Sequence, residues 1–345
     1  MQKFNKHNIQ PGETVKSIAN LYDLTEESLK FFHNNHCKVE DNILIHLTKQ
    51  KELFLPRTAV ADKKKLVKLG HGNRLVFQPE NSFLKYGVLI TIENNEKKNE
   101  IKYNTSVRWV KYENGFHFFE IDRISNLFLN EEEVNEIADL LAYKTSQVLY
   151  PMQISVDQRG KFSNVENTDV FKERWNDIKD EVYKEFEGEI VDEYCQKIEK
   201  VLDEPSSLFI FIKNDYFIRT LFFGIYQKFN QDYLTEMTET FPVINNAIEP
   251  SFKIEVEIDP LKDDYDLINI SGNGKLYDER SRYDFINGAP FSLIIEENTV
   301  MNDDGNFRLQ YFLNGETQLS ESLYLECDIN LERRKKISVV VAVID

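Results

Sequence analysis

The last hundred residues alternate apolar and polar side chains at period two, and this restricts the possible folds more than any other feature. Phe252, Ile254, Val256 and Ile258 alternate with Lys253, Glu255, Glu257 and Asp259. The same pattern returns in Leu309, Tyr311 and Leu313, in Leu323, Leu325, Cys327, Ile329 and Leu331, and in Ile337, Val339, Val341 and Val343. A strand sends successive side chains to opposite faces, so these runs predict antiparallel strands with one buried and one wet face. Gly272-Asn273-Gly274, Asp304-Gly305 and Asn314-Gly315 read as the turns between them. Further upstream, residues 87–93 are apolar and β-branched. Ile101, Tyr103, Thr105, Val107 and Trp109 share one face, and Asn114-Gly115 predicts a hairpin turn into a strand over 116–122.

The middle of the chain changes period. Glu131-Glu132-Glu133 opens a pattern through Val134, Ile137, Ala138 and Leu141, which predicts an acid-started helix ended by Pro151. Residues 153–157 read as a strand and 158–161 as a turn. From Phe171 through Trp175, Val182, Ile190, Tyr194 and Val201, apolar residues recur every three or four positions, predicting one long amphipathic helix. After Pro205, residues 208–229 read as a nearly all-apolar, buried helix. Lys213, Asp215 and Arg219 interrupt it too often for a membrane span.

Residues 4–56 form a separate unit of about 50 residues, near the lower limit for independent folding. Ile9 leads into the turn Pro11-Gly12-Glu13-Thr14, and Val15, Ile18, Ala19 and Leu21 follow at helical spacing. Thr14 predicts an N-cap, with Ser17 at the third helical position giving no full capping box. Thr25, followed by Glu26 and Glu27, starts a second helix carrying Leu29, Phe31 and Phe32. Leu53-Phe54-Leu55 reads as a closing strand before Pro56.

The run from His7 to Ala19, with Leu29, Asn34 and Phe54-Leu55-Pro56 as later landmarks, resembles a LysM domain. The usual glycine-glutamine step before the last strand is missing, and residues 37–51 are longer and more irregular than in that family. The resemblance implies a βααβ fold and binding of N-acetylglucosamine polymers such as peptidoglycan or chitin. It places Gly12, Glu13 and Thr14 on one wall of a groove and Lys38, Val39, Glu40 and Asp41 on the other. The wording around Phe32-His33-Asn34-Asn35-His36-Cys37 is similar to LysM-containing proteins encoded beside the spike proteins of contractile injection (type VI secretion) systems. That likeness implies an assembly or adaptor part whose partners are spike, spike-tip or effector proteins.

Charge narrows the remaining classes. With 42 Lys+Arg against 59 Asp+Glu the formal net charge is −17, which disfavours nucleic acid as a partner. No basic amphipathic run points to an anionic membrane either. The opening MQKFNKHNIQ lacks the apolar core of a secretory signal, and three cysteines without CxxC spacing suit free thiols. The expected location is therefore cytoplasmic, with export alongside an injection apparatus as a variant of it.

Candidate chemistry is sparse. His33, His36 and Cys37 lie close together, but no second ligand pair accompanies them, so no metal is expected. The acidic runs Asn302-Asp303-Asp304-Gly305 and Asp263-Asp264-Tyr265-Asp266 lack the spaced ligands of a calcium loop. His117 falls in a strand with no serine or cysteine partner, and Gly272-Asn273-Gly274-Lys275 lacks P-loop spacing. No catalytic residue and no cofactor is expected, and the chain reads as a non-enzyme. The charge-dense segment 278–284 offers Arg280, Arg282 and Tyr283 as exposed protein-binding anchors. Together these readings predict an α+β protein: a small βααβ LysM-like head (1–56), a linker (57–73) carrying Lys63-Lys64-Lys65, and a larger mixed region (74–345). In that region an antiparallel sheet packs on long helices, either undivided or divided near residue 245. The leading function is the injection-system adaptor. The alternatives are a peptidoglycan- or N-acetylglucosamine-binding envelope protein and a hydrolase whose catalytic domain goes unrecognised.

Overall fold

A computed structural model describes residues 4–60, 66–134, 136–244, 248–293 and 304–345. Its amino-terminal unit runs β1 (Asn5–Asn8), α1 (Val15–Leu21), α2 (Glu26–His36) and β2 (Glu52–Leu55). β1 and β2 pair antiparallel, with Asn5 opposite Leu55 and Asn8 opposite Glu52. Thr14 caps α1 by accepting from Ser17 N–H. Ser17 Oγ in turn accepts from Thr14 N–H at 2.8 Å, so a serine completes the reciprocal box that the sequence reading denied it. Thr25 caps α2, with Glu26 and Glu27 at the positive end of the helix dipole. Ile18, Leu29, Leu53 and Leu55 are fully buried in this unit's own core. Each such side chain contributes roughly 1.5–3 kcal/mol relative to exposure.

The rest of the chain builds one large antiparallel sheet. Its first strands are β3 (Phe83–Asn94), β4 (Lys97–Glu113), β5 (Phe116–Arg123), β6 (Phe128–Leu129) and β7 (Glu132–Glu133). α3 (Ile137–Ser146), β8 (Met152–Val156), β9 (Phe162–Val165), α4 (Thr168–Glu185), α5 (Glu189–Asp203), α6 (Pro205–Lys213) and α7 (Tyr216–Leu221) follow. The chain ends with β10 (Leu234–Thr240), β11 (Ser251–Ile258), β12 (Leu267–Leu276), α8 (Arg282–Ile286), β13 (Gly305–Asn314), β14 (Ser320–Asn330) and β15 (Arg334–Val343). The strand order is β10-β11-β12-β13-β14-β15-β3-β4-β5-β8-β9, with β6 and β7 as a side ribbon on β4. The carboxyl-terminal strand therefore lies beside the first strand of the region, Val341 opposite Val88. The sheet extends on both sides of residue 245, which itself lies outside the described residues, as do Lys63, Lys64, Lys65, Asn302 and Asp303.

The period-two runs form strands as expected, and Phe252, Ile254, Val256 and Ile258 face inward, each essentially without solvent contact. Asn114 and Gly115 take φ of 52° and 86°, the left-handed pair of a type I′ hairpin turn. α7 covers part of one face of the sheet and α6 packs on β9, while α3, α4 and α5 pack on one another and on α6. α7 packs on β14, β15 and β3, and Tyr311 Oη donates to the Thr220 carbonyl inside the core. The two edges of the sheet come within side-chain reach of each other. Lys161, one residue before β9, holds Glu239 on β10 at 2.6 Å, and Phe162 N–H bonds the Phe222 carbonyl at 3.1 Å. The fold is thus a mixed α+β architecture built on a large antiparallel sheet with several helices. No helix among the described residues is long and apolar enough to cross a membrane.

Five local expectations are corrected. The single helix through 171–201 is two helices, because Gly188 breaks it at φ 113°, ψ 164°, a conformation essentially reserved for glycine. Beyond the break the inward face moves to Val191, Cys195 and Leu202, leaving Ile190 82% exposed. Residues 208–229 are not one helix: Asp215 caps a fresh start at α7, and after Leu221 the chain is non-helical and bonds the turn that leads into β9, Phe222 to Phe162 and Tyr226 to Arg159. The acid-rich stretch is a turn and the short strand β7, with Asn130 and Glu131 at φ 52° and 72°, so α3 starts only at Ile137. Gly272 and Gly274 lie inside β12, not at a turn. A Cβ on Gly272 would come within 2.7 Å of Leu309, and one on Gly274 within 2.8 Å of the Lys253 carbonyl. The described part of the linker is stitched to the sheet, with Val67 buried and its N–H on the Pro260 carbonyl at 2.9 Å.

Candidate functional site

The groove residues implied by the resemblance lie on the two loops of the amino-terminal unit. The first loop starts beside the end of the second, since Ile9 N–H bonds the Lys51 carbonyl at 3.0 Å. On the first loop Gly12 sits at φ 89° with nothing within 4 Å of where a Cβ would stand, so its side faces open space. Glu13 is turned back into the unit. Its Oε2 accepts from Gln10 N–H at 2.7 Å and lies 2.8 Å from His7 Nε2. The Gln10 backbone bond and then the His7 side chain hold its carboxyl below the usual glutamate range. His7 Nδ1 in turn meets Tyr22 Oη at 2.9 Å, so Glu13, His7 and Tyr22 brace β1 against α1. Thr14 is exposed, but its hydroxyl is committed to capping α1.

The second loop is pinned by two side chains at the end of α2. His33 is buried; its Nδ1 accepts from Phe54 N–H at 3.1 Å and its Nε2 donates to the Asp41 carbonyl at 3.2 Å. Burial lowers its pKa, and a neutral ring suits one accepting and one donating nitrogen. Asn34 clasps Ile43 in both directions, accepting from its N–H at 2.8 Å and donating to its carbonyl at 3.0 Å. Between these anchors Val39–Asp41 forms a 3-10 turn, with Lys38, Val39 and Glu40 exposed and Asp41 half-buried. Val39 is 86% exposed and Leu44, further along the loop, 85%. Neither ring nitrogen of His33 is free for a metal, and His36 Nδ1 donates to the Phe32 carbonyl at 2.7 Å. Among the described residues no group of three or more His, Cys, Asp or Glu side chains is placed to hold a metal ion.

The three anchors of segment 278–284 are not one surface. Arg280 is 4% exposed. Its Nε and Nη2 bind both oxygens of Asp278 at 2.8 and 2.7 Å, and its other donors reach the carbonyls of Ile248 and Glu249 at 3.0 and 3.1 Å. It fastens the start of β11 to the end of β12 and is no surface anchor, which corrects the sequence reading. Burial alone would raise the Asp278 carboxyl, but the bonds from Arg280 and Ser251 bring it below the usual range. Arg282 and Tyr283 stay outside, on α8. Arg282 pairs with Asp304 at 3.2 Å, and Tyr283 is largely exposed. Elsewhere His117 is buried, accepting from Trp109 Nε1 at 3.3 Å, with no nucleophile on it.

An aromatic face of the same unit went unnoticed in the sequence. Phe4 packs on Phe54 at 4.5 Å between centroids, and Phe32 stacks on His36 at 4.2 Å. Phe4 also meets His36 at 5.7 Å, which joins the two pairs. Phe32 and His36, with Arg57, line a cleft of about 510 Å³ shared with Tyr233 and Glu257 of the sheet. The spacing of Phe32 and His36, one helical turn apart, was the only part of this cluster that local pattern could reveal.

No family model matches the chain, and no curated protein matches it. Among solved structures it is similar to a lipovitellin chain from work on lipid–protein interactions, at 10% identity and a TM-score of 0.44 over 78% of this chain. This chain spans only 25% of that protein's length. An engineered protein studied for asymmetric conductivity gives 8% identity and a TM-score of 0.15, covering 76% of this chain and 99% of the other. A triple mutant of a porin from Rh. blastica gives 10% identity and a TM-score of 0.14, covering 76% and 84%.

Proposed function

We propose that the chain is a non-enzymatic assembly or adaptor protein of a contractile injection system of the type VI secretion kind. Its βααβ unit is a LysM-like head that works as a docking module, and its partners are spike, spike-tip or effector proteins met in the cytoplasm. The motif from His7 to Ala19 and the strand–helix–helix–strand order of the head support this reading. The observation that carries it is the second loop, which His33 and Asn34 hold in place while Val39 and Leu44 stand in water. Exposed aliphatic side chains on a tethered loop suit a protein partner. A sugar, by contrast, asks for hydrogen-bonding groups and aromatic faces. Affinity capture from the native cell tests it, comparing the parent with a Val39→Asp, Leu44→Asp double variant. Spike, spike-tip or effector proteins should come down with the parent and be depleted with the variant. Equal recovery by both, or recovery of wall fragments alone, would refute the adaptor reading.

A second reading, binding of N-acetylglucosamine polymers, is favoured by the aromatic face of Phe4, Phe32, His36 and Phe54. Titration with chitin oligomers separates the two. Saturable micromolar binding that disappears with Thr14→Ala or Phe32→Ala would replace the adaptor reading with this one.

A further inference from the structure

Most arginines of this acidic chain sit in an ion pair, Arg57, Arg219 and Arg280 among them. Of those that do not, Arg74, Arg308 and Arg333 are exposed. Among the described residues only Arg123 and Arg174 are both withdrawn from solvent and without a carboxylate at ion-pair distance, and both line one cleft of about 470 Å³. The cleft opens where the end of β5 meets α3 and α4.

Both guanidiniums are held in position. Arg123 lies against the Tyr150 ring at 4.7 Å and the Tyr103 ring at 5.2 Å. Its Nη1 donates to Ser146 Oγ at 2.9 Å and its Nη2 to Tyr150 Oη at 3.3 Å, while its buried Nε has no partner. Arg174 is anchored through Nη1 alone, on the Pro151 carbonyl at 3.0 Å and the Val148 carbonyl at 3.4 Å. The buried carboxylate that senses Arg123 electrostatically, Asp215, is committed to capping α7, taking Ile218 N–H at 2.9 Å. Withholding a carboxylate from two half-buried guanidiniums leaves their remaining donors for a bound anion, best a planar carboxylate that one fork can grip with two bonds.

The same cleft holds Asp122, Asp177 and Glu181, none of which pairs with either arginine. They oppose a multiply charged anion such as phosphate and favour a cationic nitrogen on the same ligand, beside the Tyr143 ring. We infer that this cleft binds a zwitterion of the basic α-amino acid class, Arg123 and Arg174 taking its carboxylate and the Asp177–Glu181 side its cationic end. The volume is that of a small-molecule site. The chemistry has two sources, a free amino acid or the carboxyl terminus of a peptide ending in a basic residue.

Isothermal titration of the full chain tests this with L-arginine, L-arginine amide, acetyl-Gly-Gly-Arg bearing a free carboxyl, and inorganic phosphate. L-arginine or the peptide should bind saturably, the amide at least about tenfold more weakly, which corresponds to about 1.4 kcal/mol. Binding of the peptide at least as tight as that of free arginine identifies a chain terminus as the source; the reverse order identifies the amino acid. Arg174→Gln should weaken either at least about tenfold with the circular dichroism spectrum unchanged. Glu181→Gln should reduce the preference for L-arginine over L-alanine. Equal binding of arginine and its amide, tighter binding of phosphate, or no saturable heat with arginine or the peptide would each overturn the assignment.

Discussion

His33 ties two segments together: its Nδ1 accepts from the Phe54 amide on β2 at 3.1 Å while its Nε2 reaches the Asp41 carbonyl in the second loop at 3.2 Å. The exposed face of that loop therefore rests in part on a buried, neutral imidazole, beside the Asn34 clasp on Ile43. Protonation would turn Nδ1 into a donor facing a donor.

The first prediction is a loss of head stability in acid. Burial lowers the folded pKa of His33 below its unfolded value near 6.5, so the unfolded state binds more protons as the pH drops. Its contribution is complete above about pH 6.5 and declines as the pH falls toward the folded value. Hydrogen–deuterium exchange of the 52–55 segment, corrected for intrinsic rates, should show protection falling between about pH 7 and 5. His33→Leu should lower protection at pH 7.5 by about 1–3 kcal/mol, since Phe54 N–H loses its partner and the Asp41 carbonyl is left with Gln50 Nε2 alone, and should flatten the acid slope. A slope unchanged in His33→Leu would rule the mechanism out.

What could be read from sequence was local. β11, β13, β14 and β15 were legible because a half-buried strand must alternate, and β4 for the same reason; β3 showed as an apolar β-branched run and β5 through the Asn114-Gly115 turn, whereas β12 was hidden behind its glycines. The helix boundaries were not, because the stripe from Phe171 to Val201 keeps helical spacing straight through Gly188, where only the backbone angle reveals the break. Residues 208–229 are too uniformly apolar for any periodicity to separate a helix from a buried extended segment. Gly272 and Gly274 read as a turn because glycine pairs usually punctuate one, whereas here they make room for Leu309 and Ile254. In the candidate site the cap at Thr14 was visible from neighbouring residues. The tether from His33 to Phe54 and the convergence of Arg123 with Arg174 exist only after the chain has folded.

The second prediction contrasts those two glycines. Gly274→Ala would press a methyl group against the Lys253 carbonyl, a backbone atom held by the β11–β12 ladder, and should cost about 2–3 kcal/mol. The three atoms nearest a Cβ on Gly272 all belong to the Leu309 side chain rather than to backbone, so Gly272→Ala should cost less, about 1 kcal/mol. Urea midpoints of the two variants check the order, and equal midpoints would contradict it.

The third prediction concerns the thiols. Cys195 and Cys327 are buried and Cys37 is half-buried, all three free. Burial pushes every one of these thiols above its ordinary value, furthest at Cys327 inside the sheet. Alkylation of the native protein followed by intact mass should show one modification first, at Cys37, and two more only after unfolding. Raising the pH should speed the first without exposing the others. Early labelling at Cys327 would mean that β14 opens far more readily than its central place in the sheet implies.

The fourth prediction separates two arginines that stand two residues apart. Arg280→Glu sets a carboxylate against Asp278 in a pocket with almost no solvent, and breaking such a buried pair costs about 3–5 kcal/mol. Arg282→Glu disturbs a half-exposed pair with Asp304, and such a pair is worth about 0–1 kcal/mol. Thermal unfolding should therefore place Arg280→Glu well below the parent and Arg282→Glu close to it. Loss of partner recovery in the Arg280 variant would then report a failed fold, whereas the same loss in Arg282→Glu or Tyr283→Ala would report a contact surface on α8. If Arg280→Glu melts with the parent, the guanidinium does not fasten β11 to β12, and the hydrogen bonds drawn to Ile248 and Glu249 cannot be what orders that corner of the sheet.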